Sequence, residues 1–174
     1  TPVPEYIRLI AQGRYDDAYL VNWVSNVFPG VLGRTCDRPC EPACRRSRVE
    51  ENNGEHPEPV AICRLKRVAA DMKEDVAGRM PKAGPKNGKR VALVGAGPAS
   101  LAVANDLLPL GYDVVIFEGL PVPGGLMRSN IPSFRLPAEV LDREINDIIG
   151  MGAQLKLGHR IESMKKMLTD GFDA

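Results

Sequence analysis

Three cysteines close together in the sequence are the residues best suited to chemistry. Cys36, Cys40 and Cys44 fall within nine residues, and eighteen residues lie between Cys44 and Cys63. Thiolates at such spacing bind zinc or an iron–sulfur cluster. Zinc sites commonly use cysteine pairs two to four residues apart, and three evenly spaced cysteines fit that pattern poorly. The spacing favours a cluster, with zinc and four reduced structural thiols as the alternatives.

The residues around these cysteines also favour a cluster. Pro39 and Pro42 prevent a local helix and leave backbone N–H groups free to hydrogen-bond to cluster sulfurs. Five arginines in the segment 34–48 outnumber its two acidic residues. This positive charge would stabilise a reduced cluster and raise its potential. The arginines are Arg34, Arg38, Arg45, Arg46 and Arg48.

A glycine-rich turn, residues 95–100, is the second candidate site. It follows a predicted strand and opens a predicted helix. The first glycine permits a tight turn, the second lets a pyrophosphate approach the backbone, and the helix N-terminus offers N–H groups to phosphates. Ser100 stands where the dinucleotide-binding motif has its third glycine, and its side chain is small enough to be tolerated. The candidate ligand-binding residues of the turn are Gly95, Gly97, Pro98, Ala99 and Ser100.

Two further features extend the nucleotide-binding pattern. Glu118 follows Gly95 by 23 residues and ends the next predicted strand. A carboxylate there accepts hydrogen bonds from a ribose diol and would repel a 2′-phosphate, so NADP is disfavoured at this turn. The adjacent Gly124 and Gly125 let another backbone segment approach a flat or phosphorylated ligand. Spacing alone does not distinguish NAD from FAD, and a nucleotide-free α/β domain is the alternative.

The hydrophobic pattern that must position these motifs changes along the chain. Helical periodicity precedes residues 78–88, a stretch rich in Gly, Pro and Lys, and strands alternate with helices after it. This order predicts a helical domain over 1–77, a linker over 78–88 and an α/β domain with a parallel sheet over 89–174. The predicted helices are 4–12, 14–25, 59–76, 98–110, 137–151 and 163–168, and the predicted strands are 91–94, 114–117 and 154–157. No regular element is predicted for 33–48, and the acidic stretch 49–58 is predicted to be an exposed loop.

Composition excludes several classes of protein. The chain has 174 residues, of which 44% are hydrophobic and 26% charged, a globular balance. A net charge of +1 and 5% aromatic residues argue against nucleic-acid binding. Charged residues within the first 25 positions exclude a signal-peptide core, and the apolar stretch 91–110 is interrupted by Pro98, Asn105 and Asp106, so no membrane partner is expected. A reducing, cytoplasmic setting is predicted.

The motifs, taken in order, resemble one family. It is the small (beta) subunit of NADPH-dependent glutamate synthase and its relatives, which include the N-terminal half of dihydropyrimidine dehydrogenase. The joint order of cysteine loop, glycine turn and a later Gly-Gly segment is specific, and the resemblance covers nearly the whole chain. The motifs that carry it are Gly33–Cys36, Cys40-Glu41, Cys44, Pro59–Ile62, Gly95–Ser100, Gly124–Leu126 and Ile131–Pro137.

The resemblance implies a helical domain with [4Fe-4S] clusters followed by a Rossmann-like FAD-binding domain. By position, the cluster ligands would be Cys36, Cys40 and Cys44, with Cys63 as the candidate fourth. Matching positions imply FAD pyrophosphate and ribose contacts at Gly95, Gly97 and Glu118. They also imply flavin-side contacts at Gly124, Gly125 and Leu126, with Arg135 just beyond.

The function implied is that of an NAD(P)H-dependent oxidoreductase. Electrons would pass from NAD(P)H to FAD and singly through [4Fe-4S] clusters to a partner subunit or domain. No side chain is nominated as a general base. The chain is expected to be an N-terminal portion without its nicotinamide domain or a complete catalytic cycle. Ser129-Asn130 stands where relatives often have Tyr-Gly. The alternative is a non-enzymatic metal module that docks a partner.

Overall fold

Helices dominate residues 1–76 of the computed structural model, which describes residues 1–49 and 54–174 of the chain. The helices are α1 (Val3–Ala11), α2 (Tyr15–Ser25), α3 (Pro29–Thr35) and α4 (Ile62–Met72), and a turn of 3₁₀ helix covers Arg46–Arg48. The helices predicted over 4–12 and 14–25 are confirmed as α1 and α2. The predicted 59–76 helix is shorter than expected, because it begins at Ile62 and ends at Met72.

Helix α3 contradicts the prediction that 33–48 contains no regular element. Pro29 occupies the first turn of α3, where its fixed φ and missing N–H cost nothing. Gly30 and Gly33 are poor helix formers, so local propensity did not indicate this helix. Its formation depends on packing against α4. Of the predicted loop 49–58, residues 50–53 lie outside the described residues, and residues 54–56 and 58 are exposed.

The core of this unit lies where α1, α2 and α4 meet. Tyr6, Leu9, Ala18 and Ala69 form its buried centre. The Tyr6 hydroxyl donates to the Ile62 carbonyl at 2.8 Å, so the first turn of α4 is tied to α1. Burying these side chains drives the unit together.

Residues 77–174 form an α/β unit whose described part contains a three-stranded parallel sheet in the order β1-β2-β3. Buried β2 is the central strand, with its register to β1 set by Val91 opposite Val114. This confirms the predicted parallel sheet with crossover helices. The elements are β1 (Arg90–Val94), α5 (Pro98–Leu107), β2 (Asp113–Phe117), α6 (Leu126–Ser129), α7 (Ala138–Ile149), β3 (Gln154–Lys156) and α8 (Met164–Met167), with 3₁₀ turns at Ala77–Arg79 and Leu108–Leu110.

Two further chain segments are hydrogen-bonded to this unit. The N–H of Asp173 donates to the Arg90 carbonyl and the N–H of Ala92 to the Ala174 carbonyl, both at 2.8 Å, so the last residues run beside β1. Within the predicted linker 78–88, the N–H of Gly84 donates to the Leu108 carbonyl at 3.0 Å. The later part of that stretch is therefore held by the α/β unit.

Candidate functional site

The glycine turn lies at the carboxyl end of β1, between Val94 and the first residue of α5. Gly95 has a φ of +89°, which L side chains rarely adopt, and this lets the chain reverse directly after the strand. Gly97 is the N-cap of α5, and Pro98 stands in its first turn. The free N–H groups of this helix end therefore face the edge of the sheet where ligands of parallel α/β domains bind.

The peptide groups of Ala96 are held from two sides. The Ala96 N–H donates to Glu118 Oε2 at 2.7 Å, and the Ala96 carbonyl accepts from the N–H of Gly124 at 2.8 Å. Glu118 directly follows β2 and is 9% exposed. Its second oxygen accepts the Leu120 N–H at 2.9 Å. The carboxylate thus braces the turn, a role that the spacing did not reveal, and its remaining lone pairs can still accept from a ribose hydroxyl.

The two glycine segments touch through their backbones. A Cβ placed on Gly125 would lie 2.9 Å from the Gly97 Cα, closer than real side chains approach. Gly125 also has a φ of +51°. Both conditions require glycine at this position. This contact places the predicted residues Gly97 and Gly125 against each other, with Gly124 in the same segment as Gly125.

The space over the first glycine turn is open. A Cβ on Gly95 would meet nothing within 4 Å, and a Cβ on Gly97 would meet the Gly125 Cα alone, at 3.9 Å. A side chain at either position would project into that space. The turn therefore fits a group that approaches the backbone closely, as the pyrophosphate of a dinucleotide does.

The other predicted nucleotide-site residues differ in exposure. Ala99 is exposed and Ser100 half-buried in the first turn of α5. Leu126 begins α6 and is 68% exposed. Arg135 is exposed, and its N–H donates to the Pro132 carbonyl at 2.9 Å.

The cysteine loop begins where α3 ends. Cys36 is the C-cap of α3, and Cys63 stands in the first turn of α4. The two helices can approach closely because Gly33 has no side chain. A Cβ at this position would lie 2.8 Å from the Arg67 Cα. Arg38, with a φ of +58°, donates its N–H to Cys36 Sγ at 3.4 Å. The helix crossing therefore brings cysteines from distant parts of the sequence together.

The thiols differ in environment. Cys63 is 5% exposed, and its Sγ donates to the Leu32 carbonyl at 3.2 Å. Burial raises the pKa of the Cys63 thiol, and the neighbouring Cys36 adds to this. Hydrogen bonds from backbone N–H groups lower the pKa of the Cys44 thiol, and the one from Val60 has the largest effect. A low pKa favours the thiolate, which is the form that binds metal.

Tyr6 is a part of this site that sequence reasoning missed. Its ring is buried in the core of the helical unit. Burial raises the pKa of the Tyr6 phenol, and the nearby Cys63 and Cys40 contribute to that rise. The Tyr6 hydroxyl donates to the carbonyl of Ile62, the residue that precedes Cys63. The sequence predicted only that Tyr6 lies in a helix, and no local signal linked it to the cysteines.

The four cysteines do not converge on one point. They are all free thiols, and across residues 1–49 and 54–174 no three Cys, His, Asp or Glu side chains are placed to hold one metal ion. Cys36 and Cys63 are neighbours, whereas Cys44 has its own set of backbone partners. The assignment of these four cysteines as cluster ligands stays a prediction. In the same described ranges, no helix is long and apolar enough to cross a bilayer.

Comparison with protein families divides the chain at the same two motifs. Residues 1–77 match the family described as dihydropyrimidine dehydrogenase domain II, 4Fe-4S cluster. Residues 93–157 match the family described as NAD(P)-binding Rossmann-like domain. The first match contains all four cysteines, and the second contains the glycine turn and Glu118.

Curated relatives match across both motifs. The chain is 40% identical over 182 residues to the NADP(+)-dependent formate dehydrogenase subunit beta of Moorella thermoacetica, covering 91% of this chain and 25% of the relative. It is 38% identical to the NADPH-Fe(3+) oxidoreductase subunit beta of Geobacter sulfurreducens, covering 99% and 25%. It is 35% identical to the glutamate synthase [NADPH] small chain of Mycobacterium tuberculosis, covering 99% and 34%. The chain thus spans a quarter to a third of the length of these relatives.

Proposed function

We propose that electrons enter this chain at FAD and leave it through [4Fe-4S] clusters. The chain belongs to the family of NAD(P)H-dependent iron–sulfur oxidoreductase subunits that includes the glutamate synthase small chains. In this proposal the α/β unit binds FAD, and the helical unit binds [4Fe-4S] clusters that deliver electrons to a partner subunit. The observation that carries it is the double anchoring of Ala96, which holds an open glycine turn ready for a dinucleotide.

The residues of the turn bind and orient the nucleotide. The backbone N–H groups at the start of α5 would donate hydrogen bonds to the pyrophosphate, and the absence of side chains at Gly95 and Gly97 permits close approach. Glu118 keeps the turn in place and offers lone pairs to the ribose. The same negative charge would repel a 2′-phosphate, which supports FAD over NADP at this position.

The proposed cluster ligands are Cys36, Cys40 and Cys44, with Cys63 as the candidate fourth. When bound, FAD would supply two-electron chemistry with NAD(P)H, and [4Fe-4S] clusters would supply one-electron transfer. The protein's own part is to hold thiolates and to set their surroundings. The lowered pKa of Cys44 supports its role as a ligand.

Titration of the purified 174-residue chain with FAD, ADP and NADPH tests the nucleotide assignment. FAD and ADP should bind more tightly than NADPH, which carries the 2′-phosphate. Tighter binding of NADPH would overturn the assignment. Visible absorbance of flavin and iron–sulfur bands, together with iron and zinc analysis, separates this function from that of a zinc-bound docking module.

We also propose the domain division and the setting. The helical domain would cover 1–77, the linker 78–88 and the FAD-binding domain 89–174, in a cytoplasmic protein whose free thiols suit a reducing compartment. Tryptic cleavage at Arg79 or Lys82 before any cut within 90–118 would support the linker. Protection of 78–88 with earlier cleavage inside 90–118 would contradict it.

A further inference from the structure

One side chain outside the motifs holds the second glycine segment, Gly124-Gly125, in place. Arg128, in α6, donates from Nε to the Pro123 carbonyl at 2.6 Å. Its Nη2 donates to the Asp142 carboxylate on α7. The guanidinium therefore bridges the loop before Gly124 to a regular helix, a geometry that a planar two-pronged donor suits.

This bridge continues to the nucleotide turn through hydrogen bonds. The peptide that begins at the Pro123 carbonyl ends at the Gly124 N–H, which donates to the Ala96 carbonyl at 2.8 Å. The other side of Ala96 is bound by Glu118. A chain of polar contacts thus leads from Asp142, through Arg128 and one peptide group, to the turn.

The loop is closely packed around Gly124. A Cβ on Gly124 would lie 3.1 Å from the Arg128 Cβ and 3.2 Å from Leu141 Cδ2, so the loop is wedged between Arg128 and α7. Gly124 itself is buried, and the Arg128 side chain is 24% exposed. The alkyl chain of Arg128 therefore packs against the loop, and its guanidinium donates a hydrogen bond to the same loop.

We propose that Arg128, oriented by Asp142, is a positioning residue that seats the Gly124-Gly125 segment against the Gly95–Gly97 turn and thereby shapes the nucleotide site. The inference rests on the proposed nucleotide-binding function. Arg128 acts through the backbone of the loop, so its removal should loosen the loop without removing a ligand contact of its own.

The direct test is amide hydrogen exchange of the 174-residue chain, measured at Gly124 and, as an internal reference, at Val115 in the central strand. In Arg128→Ala, exchange at Gly124 should accelerate about tenfold, as expected for loss of a charge-assisted hydrogen bond, while Val115 keeps its protection. Arg143→Ala removes an exposed arginine from the adjacent position on α7 and should change neither amide. Unchanged exchange at Gly124 in Arg128→Ala would overturn the proposal.

A conservative variant separates positioning from general stability. Arg128→Lys keeps the charge but cannot reach both acceptors in a fixed fork, so its Gly124 exchange should fall between the wild-type and alanine values. Equal loss of protection at Gly124 and Val115 in both variants would show a merely structural role and would contradict the proposal.

Ligand titration distinguishes this inference from the proposed function. FAD should bind Arg128→Ala about tenfold more weakly than Arg143→Ala. If the wild-type chain binds neither FAD nor ADP, the proposed function fails while the exchange result still decides the role of Arg128. If the wild type binds and both variants bind equally well, the positioning role fails while the proposed function stands.

Discussion

The Glu118 carboxylate accepts the backbone N–H of Ala96 at 2.7 Å, across 22 residues of sequence and between two neighbouring strand ends. The carboxylate that suits a ribose diol is thus also a support of the turn that would bind the pyrophosphate. Recognition and architecture are combined in one side chain, so its replacement should affect both.

Replacing Glu118 with alanine should therefore weaken FAD and ADP binding and lower the stability of the α/β unit. We expect a loss of about 1–3 kcal/mol in binding free energy, the cost of an unmade charged hydrogen bond to the ribose, and a loss of stability because the N–H groups of Ala96 and Leu120 lose a charged acceptor. Isothermal titration and urea unfolding measure the two effects. Glu162→Ala, at an exposed site, is the matched control. Unchanged affinity in Glu118→Ala would contradict the ribose assignment.

Two alanine substitutions should separate ligand binding from folding. Gly97 has a φ of −87°, and its added methyl would meet the Gly125 Cα only at 3.9 Å, so Gly97→Ala should fold normally and lose FAD binding. Gly125→Ala should lower the free energy of unfolding by about 1–3 kcal/mol, because its methyl would lie 2.9 Å from the Gly97 Cα at a φ of +51°. Thermal melts and FAD titrations of both variants check this. Retained binding in Gly97→Ala would place the pyrophosphate elsewhere.

The role of Cys63 can be decided by iron content. After anaerobic reconstitution with iron and sulfide, Cys40→Ala should hold less iron than the wild type. If Cys63 is the fourth ligand beside Cys36, then Cys63→Ala should lose as much iron as Cys40→Ala. Full iron in Cys63→Ala would restrict Cys63 to packing against the Leu32 carbonyl.

The crossing of α3 and α4 should not tolerate a larger residue at Gly33. Its added Cβ would lie 2.8 Å from both the N and the Cα of Arg67, which are backbone atoms that cannot rotate away. Gly33→Ala should therefore destabilise the helical unit by about 1–3 kcal/mol. Gly78→Ala is the control, because nothing lies within 4 Å of its added Cβ. Equal melting temperatures for the two variants would show that the crossing relaxes freely.

Ion pairs at the start of β1 should make the α/β unit sensitive to acid. The Lys86 ammonium lowers the pKa of Asp113, and the Lys89 ammonium lowers the pKa of Asp173. A carboxyl whose folded pKa lies below its unfolded value stabilises the fold above the unfolded pKa, and this contribution is lost as pH falls through the folded pKa. The Lys89–Asp173 pair is exposed, and the half-buried Asp113 pairs with an exposed Lys86, so the effect should be small and should weaken with salt.

This acid sensitivity can be measured by unfolding the wild type and Asp173→Asn between pH 7 and pH 2. The variant should be less stable at neutral pH, and the two stability curves should converge at low pH, where Asp173 is protonated in both states. Parallel curves across the whole range would exclude a contribution from this pair.

Much of the α/β unit could be predicted from the sequence. Short apolar runs, helical periodicity and the glycine turn are local signals, so β1, α5 and β2 could be predicted from them, and the alternation of strands and helices predicted their parallel pairing. Helix α3 could not be predicted in this way, because its Pro and Gly residues have low helix propensity and its stability comes from contact with α4.

The same distinction between local signals and tertiary contacts applies to the candidate sites. The sequence by itself determined which residues can do chemistry: the four cysteines, the glycine turn and Glu118. Only the tertiary structure decided their relations: Glu118 to Ala96, Gly97 to Gly125, Cys36 to Cys63, and Arg128 to the Pro123 carbonyl. The physical reason is that residue type sets the chemistry of a group, whereas hydrogen bonds and close contacts act over a few ångströms. Folding brings positions distant in sequence to that range, and local patterns carry no record of which ones meet.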